Sequence, residues 1–220
     1  MADEIDTIDF WNHTGQNEWV EREYNYKPRT GDLLFFAGNK DSSALIRYFT
    51  DSNWSHVAWV IQNAIDNKFY TFEARSDTGK VTLTPLFERL DAYDGNIAVR
   101  QFRHAFTNEQ LRKISRYVER KIHKPFNTNM RKWVNTMMDH WYYKSPVVRG
   151  FLYCNDGEES PDGGYLCSEL VMEALRVAGV DENTSRPITT YVPEDMSESS
   201  TEMAFWVGDN SSFGPEIMIK

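Results

Sequence analysis

Short apolar runs follow one another between residues 31 and 103, and two segments with helical spacing come after them. "GDLLFFAG" (31–38) is an apolar run behind Gly-Asp and predicts a buried strand. "DSSALIRYFTD" (41–51) predicts a short helix, with Ala44, Leu45, Tyr48 and Phe49 on one face and Asp41 or Ser42 as cap. "SHVAWVIQ" (55–62) and "KFYTFEA" (68–74) are rich in β-branched and aromatic residues. Joined by a loop with Asp66 and Asn67, they predict antiparallel neighbours. "GKVTLTPL" (79–86) and "NIAVRQFR" (96–103) predict two further strands.

The spacing then changes. Leu111, Ile114, Val118 and Ile122 form a helical stripe in residues 107–124, opened by a Thr107–Gln110 capping box and stopped by Pro125. A last helix is predicted over 165–178, ending at Gly179. One of its faces carries Cys167, Leu170, Val171, Ala174, Leu175 and Ala178; the other carries Ser168, Glu169, Glu173 and Arg176. In residues 126–162, "RKWVNTMMDHWYY" is compatible with a helix and "NDGEESPDGG" with a loop. The tail from 180 reads as mixed and irregular. The fold class expected is α+β: a mainly antiparallel sheet with helices packed against it.

Composition adds boundaries to this order. At 220 residues, 40% hydrophobic and 14% aromatic, the chain suits one globular domain, residues 28–220, behind a polar N-terminal arm, residues 1–27. The net charge of −9 gives no electrostatic footprint for nucleic acid. No apolar run reaches the roughly 18 to 20 residues of a membrane helix. The acidic start lacks the basic and apolar regions of a secretory signal, so a reducing compartment is expected. Two cysteines, Cys154 and Cys167, make no disulfide framework, although the two could pair. No zinc signature, phosphate loop or dinucleotide fingerprint occurs, so neither a metal nor an organic cofactor is expected.

Candidate chemistry centres on "GGYLCSELVMEAL" (163–175). Cys167 sits in the first turn of its helix, where unpaired N–H groups and the positive end of the macrodipole favour a thiolate. A buried core cysteine is the competing reading. The Gly163–Gly164 pair before it permits close approach of another chain segment. A nucleophilic thiolate needs a base and a group to orient that base. Of five histidines, His56 lies inside the otherwise apolar "WSHVAWV", where a polar ring needs a partner. Glu73 is a second polar intrusion, in "FYTFEAR". Alternation places Trp54, His56 and Ala58 together, and likewise Phe69, Thr71 and Glu73. Pairing of the two strands brings His56 beside Glu73, on the face expected to meet the cysteine helix. A carboxylate on one ring nitrogen leaves the other for the thiol.

"GDLLFF", "SHVAWVI", "FYTFEA", the Val-Thr-Leu-Thr-Pro-Leu strand end, "YLCSELV" and "YVPEDM" (191–196), in that order, resemble the circularly permuted NlpC/P60 papain-like proteins. The chain is most similar to their YiiX/YebB-type group, with relatives in poxviruses and other large DNA viruses. In that permuted branch the histidine and a polar residue precede the cysteine, as His56 and Glu73 precede Cys167 here. The resemblance implies Cys167 as nucleophile, His56 as general base and Glu73 as its orienting group. The Cys167 N–H would be an oxyanion donor. Tyr165, Ser168, Asp32 and Trp141 are candidates for further oxyanion or substrate contacts; Asp32, matching the family's Gly-Asp, also reads as a structural turn residue. Residues 126–162, with Trp133, Trp141, Tyr142, Tyr143 and Phe151, are longer than in compact members. They would be an aromatic-rich insertion: a lid, an interaction surface or an extra helical layer.

The activity implied is a thiol hydrolase or acyltransferase acting on an amide, ester or thioester of a peptide, lipid-acyl or ubiquitin-like substrate. The setting implied is the cytoplasm, or a virion or host cell. A catalytically inactive papain-like binding module using the aromatic insertion is the alternative.

Overall fold

The computed structural model describes residues 15–39, 41–50, 52–129, 136, 164–180, 188–197 and 212–220. Within them lie helices α1 (Gly15–Tyr24), α2 (Asp41–Thr50), α3 (Leu86–Asp91), α4 (Asn108–Lys121) and α5 (Cys167–Val177). The strands are β1 (Leu33–Gly38), β2 (His56–Gln62), β3 (Phe69–Arg75), β4 (Lys80–Pro85), β5 (Gly95–Phe102) and β6 (Phe213–Met218). All six strands join one antiparallel sheet in the order β4-β3-β2-β1-β5-β6. The architecture is the α+β one expected.

Period-two alternation divides the sheet between two apolar clusters. Leu33, Phe35, Val57, Trp59, Phe72 and Ala74 point to one side, under α5 and α4. Leu34, Phe36, Ala58, Val60, Ile97 and Val99 point to the other, under Leu86 and Leu90 of α3 and Val20 of α1. Each fully buried Leu, Ile, Val or Phe among them contributes about 1.5–3 kcal/mol. Burial on both faces explains why β1 reads as a continuous apolar run rather than an alternating one.

Burial departs from the sequence expectation in several places. In α2, two residues of the expected apolar face, Ala44 and Tyr48, are exposed, Tyr48 at 79%. In α4, Ile114 and Val118 of the expected stripe are buried, whereas Leu111 is exposed and Tyr117, outside the stripe, is buried. The Thr107–Gln110 capping box is present, and the helix stops at Lys121, before Pro125. Leu86 begins α3 rather than ending a strand. The tail is irregular only in part, because residues 213–218 form edge strand β6 on β5.

The first turn of α5 is buried all round, including Ser168 and Glu169, which the helical pattern puts on an outer face. Glu169 reaches back to accept the Leu166 N–H at 3.2 Å, capping an end whose first residue has no polar side chain. The segment before the helix runs tight against residues 126–127, with a bridge between Phe126 and Tyr165. A Cβ on Gly164 would stand 2.9 Å from the Asn127 Cα, so this approach requires glycine. The helix ends at Val177, and Gly179, just past the Ala178 cap, has φ +71°.

Candidate active site

His56 is the first residue of β2, and the segment leading into it is pinned at several points. Ser52 donates to Glu194 at 2.7 Å, and Trp54 Nε1 donates to Glu216 of β6 at 3.1 Å. Ser55 donates its backbone N–H to the Phe36 carbonyl at 2.9 Å. The imidazole lies against the Phe36 ring, centroids 5.5 Å apart. It therefore stands on the α3 side of the sheet, with Ala58 and Val60, and not on the α5 side. The same parity places Glu73 on the α3 side. The expectation that both face the cysteine helix is corrected: alternation does put the two side chains on one face, but the helix covers the opposite face.

Contact with Cys167 arises because the sheet opens at this end. The last residue pair between β2 and β3 is Trp59 with Phe72. Val60 bonds β1-side partners through both its N–H and its C=O, so alternation turns the Val57 amide toward β3, where no ladder partner remains. The α5 N-terminus enters this gap, and Cys167 Sγ accepts the N–H groups of Val57 and Ser168. The thiol is buried, unpaired by any disulfide, and hydrogen-bonded to the His56 ring. The other cysteine, Cys154, lies outside the described residues.

Glu73 is fully buried and its carboxylate is saturated. Oε2 bonds His56 Nε2 at 2.7 Å and accepts Arg89 Nη2 at 3.0 Å. Oε1 accepts Arg89 Nε at 2.8 Å and the Thr71 hydroxyl at 2.9 Å. Those four bonds fill the sites a carboxylate has. With Nε2 held by Glu73, Nδ1 is the ring nitrogen left for the thiol.

The electrostatics follow from these contacts. Burial alone would push the Cys167 thiol up. The neighbouring imidazolium, its hydrogen bond and the two amides outweigh burial and hold the thiol below its ordinary value. Burial alone would lower His56; the thiolate and Glu73 reverse this and raise it to about 9. Against its own burial, Glu73 is held well below the usual carboxylate range by His56 and Arg89. The arrangement favours a thiolate–imidazolium pair.

The other predicted contacts stand elsewhere. Asp32 is buried at the opposite end of β1 from the Phe36–His56 pairing. It accepts from the Tyr26 hydroxyl (2.6 Å), the Arg29 N–H (2.9 Å) and the Phe102 N–H (2.8 Å), which makes it a structural turn residue. Burial raises it to about 6 despite those donors. The Tyr165 hydroxyl bonds Lys121, which pairs with Glu173 at 2.9 Å, so it is tied to the α4–α5 seam. The Ser168 hydroxyl donates to the Tyr191 carbonyl, and only its backbone N–H meets the sulfur. Neither hydroxyl is free to serve as the second oxyanion donor. Trp141 and most of residues 126–162 lie outside the described residues. Among the described residues, no group of three or more His, Cys, Asp or Glu could hold a metal ion, and no helix is long and apolar enough to cross a membrane.

Sequence reasoning did not find Arg89 or the Val57 amide. A signal for α3 was present: Pro85 followed by Leu86 and Leu90 at i, i+4 spacing, which turns Arg89 along the same short helix. A backbone donor exposed by two strands parting leaves no such trace.

The family model described as "Permuted papain-like amidase enzyme, YaeF/YiiX, C92 family" matches residues 27–155, which include His56, Glu73 and Arg89. The uncharacterized protein YiiX of Escherichia coli K12 is 30% identical over 106 residues, 47% of this chain and 50% of that protein. The chain thus spans about half the length of the curated relative it matches. The crystal structure of metalloprotein yiiX from Escherichia coli O157:H7, DUF1105, aligns with a TM-score of 0.48 and 21% identity, covering 88% of this chain and 90% of that one. The family match runs over more than half of the chain, and the protein belongs to the permuted papain-like amidase family.

Proposed function

We propose that the protein is a cysteine hydrolase or acyltransferase in which Cys167 is the nucleophile, His56 the general base and acid, and Glu73 the group that orients His56. The observation that carries this reading is the unbroken contact from Glu73 through the His56 ring to the Cys167 thiol at a helix N-terminus. Family membership makes an amide the first substrate class; ester and thioester carbonyls suit the same chemistry.

The thiolate attacks the carbonyl carbon and forms a C–S bond, while the carbonyl π pair moves onto oxygen. The Cys167 N–H, first in the helix and without an intrahelical acceptor, is the proposed donor to that oxyanion. The His56 imidazolium gives its proton to the leaving nitrogen or oxygen as the old bond breaks, leaving an acyl-enzyme. Neutral His56 then takes a proton from water, or from another acceptor, as that group attacks the thioester and releases Cys167. Glu73 keeps the ring in one tautomer and orientation and stabilises the imidazolium without taking a proton. The acyl group belongs to a peptide, lipid-acyl or ubiquitin-like substrate, and residues 126–162 and the N-terminal arm, residues 1–27, are the regions proposed to select it.

The test is alkylation of Cys167 by iodoacetamide across pH, read by mass spectrometry, in the wild type and His56→Ala. The wild-type thiol should react well below the ordinary thiol value of about 8.5, and the variant should shift its profile upward toward that value. Superimposable profiles contradict the proposal.

A further inference from the structure

Arg89 makes more contacts with this site than a peripheral ion pair needs. Its guanidinium grips both oxygens of Glu73, at 2.8 and 3.0 Å. It lies over the Phe36 ring at 4.6 Å and faces the Tyr93 ring at 5.0 Å. Phe36 also carries His56 on its ring, and Tyr93 meets Phe36 edge-on at 4.9 Å. One aromatic side chain therefore fixes the distance between the cation and the imidazole. The Arg89 side chain is 11% exposed, so the pair with Glu73 is shielded from screening. We propose that Arg89 is a positioning residue of the site, locking the Glu73 carboxylate in one orientation against His56 and supplying the cation that balances the buried charges. The proposal rests on the thiolate–imidazolium reading above.

Counting charges shows what the cation does. Arg89, Glu73, His56 and Cys167 alternate plus, minus, plus, minus, and sum to zero. Without Arg89 the same set is one unit negative in a buried space. It must then take up a proton, on the thiolate or on Glu73, or lose the fixed ring orientation; each reduces the reactive thiolate. The other charged and titratable groups facing this set do not replace Arg89. Arg75 is engaged with Asp77 at 2.9 Å. Arg47 donates to the Gly38 carbonyl at 2.8 Å. The Tyr93 hydroxyl bonds Ser55. On the α5 side, Glu173, Lys121, Tyr165 and Tyr117 are joined in their own network, and Glu169 is turned to the Leu166 N–H.

Two variants separate positioning from mere structure. Arg89→Gln removes the charge but keeps an amide donor; Arg89→Lys keeps the charge but cannot hold both oxygens. The readout is the pH profile of Cys167 alkylation by iodoacetamide, alongside the thermal midpoint. Arg89→Gln should move the alkylation midpoint up by roughly one pH unit, an about tenfold slower reaction at fixed pH below it. Arg89→Lys should show a smaller upward shift. Arg22→Gln, which removes an exposed positive charge from α1, should leave the profile in place. A folded Arg89→Gln protein with the wild-type profile overturns the proposal. Where that variant does not fold, Arg89→Lys decides, and an unshifted profile overturns it equally. If His56→Ala shifts the profile and the Arg89 variants do not, only this proposal fails. If His56→Ala shifts nothing, the reading it rests on fails.

Discussion

The two faces of the sheet are built from different materials. Under α5 and α4 the face is a large apolar cluster, and its one chemically distinctive member is Cys167. Under α3 the apolar cluster is smaller and runs, toward the same end of the sheet, into His56, Glu73 and Arg89. The proposed nucleophile thus comes from the hydrophobic face and its proposed partners from the charged one. They meet only where β2 and β3 part. The first face is held mainly by non-directional burial, which tolerates small adjustments. The second is held by four hydrogen bonds on one buried carboxylate, which do not.

This contrast is broken most directly by cutting each face at its centre. Removing one partner of a buried ion pair costs about 3–5 kcal/mol, because the other charge is stranded. A Leu-to-Ala cavity costs about 2–5 kcal/mol. Glu73→Ala and Leu170→Ala should therefore both lower stability in chemical denaturation by comparable, large amounts. Only Glu73→Ala should also shift the pH profile of Cys167 alkylation. A Leu170→Ala protein that stays folded and loses its low-pH reactivity would mean the two faces are not separable.

A smaller effect sharpens the same point through pH. The folded His56 value is raised from 6.5 to about 9. Its contribution to stability is fully present below pH 6.5 and is lost as pH rises through about 9. The stability gap between the wild type and His56→Ala, from urea titrations at fixed pH, should narrow between pH 7 and pH 10. A gap that stays constant over this range contradicts the raised value. Asp32, also raised but remote, is common to both proteins and cancels in the difference.

How much of this was legible follows from the same division. Strands β1 to β5 show in the sequence as short apolar or β-rich runs, and the 107–124 helix and the cysteine helix as helical spacing, because burial imposes both signals. His56 and Glu73 stood out because a polar group inside an apolar strand needs a partner. Which face the cysteine helix covers was not legible, since both faces of β1 and β2 are apolar and periodicity cannot tell them apart. Ser168 and Glu169 were misread for a related reason: helical spacing sorts a helix with one solvent face, and the first turn of α5 has none. Strand β6, "FGPEIM", carries a glycine and a proline and lies at a sheet edge, where proline is tolerated but strand pattern is weak. Arg89 was hidden because the six-residue helix offers a single apolar i, i+4 pair, Leu86 with Leu90.

In the proposed site His56 is an imidazolium at neutral pH because it lies between Glu73 and a Cys167 thiolate. The direct measurement is the pH titration of the His56 ring resonances by NMR on the wild-type protein. The ring should remain protonated through pH 8 and titrate near pH 9. A ring that titrates at or below the unperturbed value of about 6.5 would contradict it.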